Sequence, residues 1–136
     1  MSEHPSHLQF INPSGLSTPP GFTHVVEVTG GRTIYLAGQV AVDPAFHLVG
    51  KGDFRTQAEQ IFENLKTALE AVGADFTNVV KLNYYLVDMT HLPLLREVRD
   101  RYVNTTHPPA STAVEVRKLA LDDLLLEIEA VASLPA

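Results

Sequence analysis

Two glutamates stand inside an apolar strand pattern. Glu127 and Glu129 lie in LLLEIEAVA and alternate with Ile128. Both therefore project from the face opposite Leu126 and Ile128. Glu115 occupies a similar place in what reads as the neighbouring strand. A carboxylate on a face covered by an oligomer partner is desolvated, so its pKa rises and it can act as acid or base. The competing reading is an interfacial ion pair, for example Glu115 with Arg117 or Lys81. Spacing alone leans toward the ion pair, because such networks also place carboxylates at interfaces.

Other reactive residue types carry weaker signals. The six histidines, His4, His7, His24, His47, His91 and His107, show neither the i, i+4 spacing nor the HxxEH pattern of a zinc site. They read as scattered surface histidines, and no metal is expected. Gly50-Lys51-Gly52 lacks the glycine spacing and the Ser/Thr of a phosphate loop, and Asp53 after it repels phosphate. Ser14, Ser17 and Ser111 have no strained elbow around them, and Ser133 closes the last strand, so a serine nucleophile is not indicated.

The elements that hold these residues are legible from period and punctuation. His7 to Ile11 reads as an edge strand or as part of a partly flexible terminus spanning 1–11. Residues 12–21, NPSGLSTPPG, read as loop. Phe22 to Thr29 is a β-branched run ending at Gly30-Gly31, a hairpin signal, with Arg32 to Gln39 as the returning strand. Gly38 within that strand predicts a bulge or a close backbone approach. Asp53 is the N-cap of a helix running to about Val72. Its stripe is Ala58, Ile61, Phe62, Leu65, Ala68, Leu69 and Val72, and Gly73 ends it. Val79 to Val87 is a strand in which Val80, Leu82, Tyr84 and Leu86 face the helix. A second helix runs from His91 to Asn104 and is broken by Pro108-Pro109. Strands Ser111 to Arg117 and Leu125 to Ser133 follow.

The order β-β-α-β-α-β-β predicts one α+β domain over 1–136, with two helices on one sheet face. A chain of 136 residues is one domain's length and buries enough surface to fold without disulfide or metal. The net charge is −6, from 10 Lys+Arg and 16 Asp+Glu, which argues against a general nucleic-acid or anionic-membrane binder. No run reaches the length of a membrane span, and Met1 to Gln9 carries no apolar signal core. Absent cysteine fits the cytoplasm. On that reading the sequon Asn104-Thr105-Thr106 never meets the glycosylation machinery.

Two helices cover only one face of a sheet. Strand 32–39 is nevertheless apolar on both faces, with Thr33, Tyr35 and Ala37 on one and Ile34, Leu36 and Gly38 on the other. The simplest cover for the open face is a second copy of the chain, so a homo-oligomer is expected.

Five segments in combination resemble the Rid family, the reactive intermediate deaminases of the YjgF type, also labelled endoribonuclease L-PSP. They are AGQVAVDP at 37–44, QAEQIFENLKTALEAVGAD at 57–75, VVKLNYYLVDM at 79–89, PASTAVEV at 109–116 and LEIEAVA at 126–132. The resemblance runs from Asn12 to about Ala132. It implies a chorismate-mutase-like α+β fold and a homotrimer with pockets between subunits. It also implies hydrolysis of small reactive imines or enamines to a carbonyl compound and ammonia, with no cofactor.

Carried over by residue, Glu127 matches the carboxylate of the VEIE motif and is the catalytic candidate. Ala37 and Gly38, with Gln39, match the SGQ strand and are substrate-binding candidates. Three further binding positions depart from the family. Ser111 replaces the arginine of PARS that clamps the substrate carboxylate, Phe22 replaces the tyrosine of GPYS, and Arg96 replaces the asparagine of NEVY, here REVR. Loss of a bidentate guanidinium removes roughly 1.5–3 kcal/mol of charge-assisted contact. The substrate is therefore read as a small imine or enamine whose polar group differs from an α-carboxylate, with Arg96, Lys81 or Arg117 as candidates for a relocated cation, and weak or no activity on 2-iminopropionate is expected. The rival readings are a non-catalytic trimeric binding protein and, weakest, a ribonuclease.

Overall fold

The computed structural model describes residues 3–136. The first two residues of the terminal stretch 1–11 lie outside the described residues; from Glu3 onward the stretch is tied down. Asn104 donates to the Glu3 carbonyl at 2.8 Å, and the His4 ring packs edge-on against Phe10 and His107. The elements are β1 (Leu8–Ile11), β2 (Val25–Val28), β3 (Arg32–Gln39), α1 (Phe54–Glu70), β4 (Val79–Leu86), α2 (Leu92–Arg99), β5 (Ala110–Glu115) and β6 (Leu126–Leu134). The α+β expectation, with two helices on one face of a mixed sheet, is met.

The main sheet has the order β3-β6-β4-β5. β6 is antiparallel to both β3 and β4, while β4 and β5 run parallel. A parallel pair needs a crossover rather than a tight turn, and α2 supplies it. Ile61, Phe62, Leu65 and Leu69 of α1, with Leu95 and Val98 of α2, bury against Leu82, Leu86, Leu126 and Ile128 of the sheet.

α1 begins where Asp53 accepts from Thr56 N at 3.1 Å, which meets one of the otherwise unpaired N–H groups of the first turn. It closes at Gly73, whose φ of 75° suits glycine, with Ala74 N donating to Leu69 O at 2.9 Å. Val72, assigned to the stripe by spacing, is 38% exposed because the helix has already ended.

Several expectations are corrected. The Gly30-Gly31 turn does not join a hairpin: β2 pairs with β1, Leu8 opposite Val28, and β3 pairs with β6, Arg32 opposite Leu134. β3 places Leu36 in the core under α1, whereas Val25 and Val28 of β2 stay 40% and 39% exposed. Burial decides the pairing over sequence proximity. In β4 the register slips between Val79 and Lys81, so Val79 is buried in place of Val80. α2 stops at Arg99 rather than Asn104, whose side chain instead accepts from Thr106 N and His107 N. Such a local turn competes with helix. Finally, β5 and β6 are not neighbours, since β4 lies between them. Among the described residues no helix is long and apolar enough to cross a membrane.

Candidate functional site

The two faces of the sheet carry different chemistry. On the open face, Glu127 and Glu129 of β6 stand opposite Tyr85 and Asn83 of β4. Glu129 Oε1 accepts from the Tyr85 hydroxyl at 2.7 Å and from Asn83 Nδ2 at 3.1 Å. The bond to Glu129 raises the Tyr85 phenol above its usual range, helped by burial and by the charge of Glu127. Glu127 makes no side-chain hydrogen bond or ion pair among the described residues. The carboxylate interleaved with Glu129 is thus the unengaged one.

Gly38 explains where Glu127 sits. β3 carries one extra residue between Leu36 and Gln39, opposite Ala130 and Ile128 of β6. This bulge turns Gly38 onto the open face, not beside Ile34 and Leu36 as strict alternation predicts. A Cβ at Gly38 would overlap the Glu127 carboxyl group. Both expectations for Gly38, a bulge and a close approach, hold; the thing approached is Glu127. Ala37 is exposed next to it and, with Tyr35, Asn83 and Glu129, borders a shallow depression of about 480 Å³.

Ser111 lies on the other face. Its partner in β4 is Leu82, a core residue, and side chains opposite one another in a ladder share a face. It opens into a groove of about 220 Å³ between β5, α2 and the loop before β2. Phe22, Ala113, Leu92 and Leu95 give this groove apolar walls, and Arg96, Arg99 and Tyr84 complete it. The loop carrying Phe22 is fastened there: Thr23 Oγ1 donates to Pro108 O at 2.5 Å and Thr23 N to Pro109 O at 3.2 Å.

The structure thus brings Phe22, Arg96 and Ser111 together, and brings Ala37 and Gly38 to Glu127, but sets the two groups on opposite faces of one protomer. The strands of Ser111 and Glu127, read as neighbours from the sequence, are separated by β4, so the two side chains do not line one cavity of a protomer. Of the candidate relocated cations, Arg96 reaches the groove. Lys81 donates instead to Thr112 Oγ1 at 3.0 Å, and Arg117 lies by Lys118 and Asp122. Glu115 accepts from Met89 N at 2.9 Å, capping the turn before α2, so the ion pair with Arg117 or Lys81 does not form.

Sequence reasoning missed Arg99 and Tyr84. Arg99 is 7% exposed, with Nε and one terminal nitrogen each 2.9 Å from Asp100 Oδ1. Gly21, at φ 91°, passes so close that a Cβ there would strike the guanidinium. The signal was available, since Arg99 is four residues after Leu95 and so on the buried side of α2. Tyr84 is 3% exposed and its hydroxyl has no hydrogen-bond partner among the described residues. Burial pushes its phenol well above the ordinary range, against the opposing effect of Arg99. Among the described residues, no three His, Asp or Glu side chains gather in a group able to hold a metal ion.

Fold and site define a small α+β protein whose chemistry is divided between the two faces of a single sheet. The chain belongs to the Rid family: the family described as endoribonuclease L-PSP matches residues 16–134. Its relatives include a RutC family protein of Pyrococcus horikoshii, 39% identical over 77% of this chain and 82% of that one. The human 2-iminobutanoate/2-iminopropanoate deaminase is 37% identical over 74% of this chain and 72% of its own. Among solved structures, a Rid-family protein of unknown function from Yersinia pestis superposes with a TM-score of 0.80 at 36% identity. That match covers 94% of this chain and 99% of the other.

Proposed function

We propose that the protein is a deaminase of small reactive imines or enamines, working without a cofactor in the cytoplasm as a homotrimer with pockets between subunits. The observation that carries this is the free carboxylate of Glu127, held over the Gly38 backbone on a face bordered by exposed Tyr35 and Val114. Named relatives with imine deaminase activity support the chemistry. Absent cysteine is the ground for the compartment.

Two features of the protomer support an assembly of copies. Tyr35 is 81% exposed and Val114 40% exposed, an apolar surface that a second copy would bury. The groove and Glu127 also lie on opposite faces, so one protomer cannot present both to one small molecule. A copy docked by its open face against a neighbour's groove edge would do so.

In the proposed reaction Glu127 orients a water and takes its proton as the water oxygen bonds to the imine carbon. That proton passes to the nitrogen to give the carbinolamine; its hydroxyl then yields a second proton through Glu127 to the same nitrogen, the C–N bond breaks, and ammonia leaves as the carbonyl forms. Water and imine account for all atoms, and no electron acceptor is needed. A neighbouring subunit's surface would exclude bulk water from the reacting atoms.

The test is ammonia release from enzymatically generated 2-iminobutanoate and 2-iminopropanoate, with RNA degradation followed beside it. Wild type is expected to accelerate release, and Glu127→Gln to reduce the acceleration by more than about a hundredfold. Unchanged activity in Glu127→Gln would reduce the glutamate to a structural role. Binding without turnover would favour the non-catalytic reading.

A further inference from the structure

We infer that Arg99 on α2, with the Tyr84 hydroxyl and the flanking Arg96, forms the anion-holding end of the groove and receives a ligand carboxylate there. The inference rests on the deaminase reading for the imine, but the anion site is argued from the groove alone.

The polar groups that line the groove are Arg96, Arg99, Tyr84 and Ser111. Guanidinium groups only donate, and no carboxylate, amide or histidine is among the lining residues. Asp100 occupies one edge of the Arg99 fork, through Nε and one terminal nitrogen at 2.9 Å, and leaves its other donors unassigned. Tyr84 sharpens the point. Its oxygen can accept from the nearby guanidinium, but its O–H proton then needs an acceptor, and none stands among the described residues. An unmet donor at a buried site is costly, and an anionic oxygen from a ligand meets it together with Arg99.

Position adds specificity. The serine at 111 leaves the β5 wall of the groove uncharged, so the cation comes from α2 instead. Burial at 7% exposure and the close passage of Gly21 hold the Arg99 side chain in place, which reduces the ordering cost of binding. Arg96, half-exposed and in no ion pair among the described residues, adds positive charge at the rim. Beyond the two arginines the walls are Phe22, Leu92, Leu95 and Ala113, with no group to pair a second polar end. A ligand with a carboxylate at one end and an aliphatic side chain at the other fits that distribution.

The experiment titrates full-length protein with stable 2-oxo acids, 2-oxobutanoate and 4-methyl-2-oxopentanoate, and with inorganic phosphate, by calorimetry or NMR. Both oxo acids are expected to bind, the branched one more tightly and phosphate more weakly than either. Arg99→Gln is expected to raise the oxo-acid Kd by about tenfold or more, and KM for the imine with it. Tyr84→Phe is expected to raise Kd by about threefold with thermal stability retained, since only an unpartnered hydroxyl is removed. Adding Ser111→Arg to Arg99→Gln is expected to recover most of the affinity by returning a guanidinium to the same groove.

A folded Arg99→Gln protein with unchanged Kd overturns the inference. If that variant does not fold, an unchanged Kd in Tyr84→Phe overturns it instead. Equal affinity for phosphate and both oxo acids would leave a plain anion site and overturn the assignment to a carboxylate. The two readings fail separately. Oxo-acid binding that depends on Arg99, without ammonia release from any imine, sinks the deaminase and keeps the site. Ammonia release with an unaltered KM in Arg99→Gln does the reverse.

Discussion

The groove under α2 and the open face of the sheet are built from the same strands and hold opposite chemistry. The groove gathers donors: Arg96, Arg99, the Tyr84 hydroxyl and Ser111. The open face gathers acceptors, Glu127 and Glu129, whose local donors Tyr85 and Asn83 serve only Glu129. Strand alternation makes the division, since Tyr84 and Tyr85 are consecutive residues on opposite faces. Mixed together in one cavity, the arginines and glutamates would neutralise one another by direct ion pairs. Kept apart by a sheet, the two sets cannot pair within one protomer; in the proposed trimer a second subunit would bring them into one space.

The largest effect comes from preventing that meeting. Tyr35→Glu changes a side chain that is 81% exposed in the protomer, so folding is expected to be untouched. On a covered face the new carboxylate would be desolvated without a partner, which is strongly destabilising to the assembly. Light scattering is expected to fall from three times 14.9 kDa to a single chain mass, and ammonia release to fall to the uncatalysed level. A Tyr35→Glu monomer with full activity would break the comparison outright, because one face would then suffice.

A smaller effect isolates the open face. Gly38→Ala places a methyl group where the Glu127 carboxyl group now lies. The obstacle is the far end of a flexible side chain, so Glu127 can swing away and the melting temperature is expected to change by only a few degrees. The reacting oxygen moves with it. Displacements of about 1 Å at a reacting group can cost on the order of a hundredfold, so kcat is expected to fall by tenfold or more with 2-oxo-acid binding intact. Loss of binding in Gly38→Ala would mean that the open face also holds the carboxylate, which would contradict the division of labour.

How much of this was legible in the sequence follows the range of the interactions. β3 at 32–39, the Asp53 cap and the α1 stripe from Ala58 to Leu69 depend on neighbours within a few residues, and each appears where spacing put it. The alternation of Leu126, Glu127, Ile128 and Glu129 was equally plain. What failed depends on partners far along the chain. The bulges at Val79–Lys81 and Leu36–Gln39 each invert the faces beyond them, and no local pattern marks which residue is extra. The insertion of β6 between β3 and β4 separates Ser111 from Glu127, and only the whole sheet order reveals it. Arg99 was lost differently. Its place one turn after Leu95 was legible, but the loop of Gly21 that closes over it lies far off in the chain.

The smallest expected effect tests whether the two glutamates of the open face differ as their bonding suggests. Tyr85→Phe removes the 2.7 Å donor to Glu129 and leaves Asn83 as its remaining one. Glu127 loses only a neighbouring hydroxyl dipole. Ammonia release is therefore expected to stay within about threefold of wild type, the range of a lost neutral contact outside the reacting set. Stability carries a clearer mark. The Tyr85 phenol has its pKa raised in the folded state, chiefly by the bond to Glu129, so the protonated form is favoured by folding. A raised value contributes stability that is fully present below the unfolded tyrosine pKa of about 10 and is lost as pH rises through the folded value. Unfolding midpoints measured from pH 8 upward are expected to decline less steeply for Tyr85→Phe than for wild type. A large drop in activity instead would assign the chemistry to the Tyr85–Glu129 pair, and Glu127 would then be the supporting group.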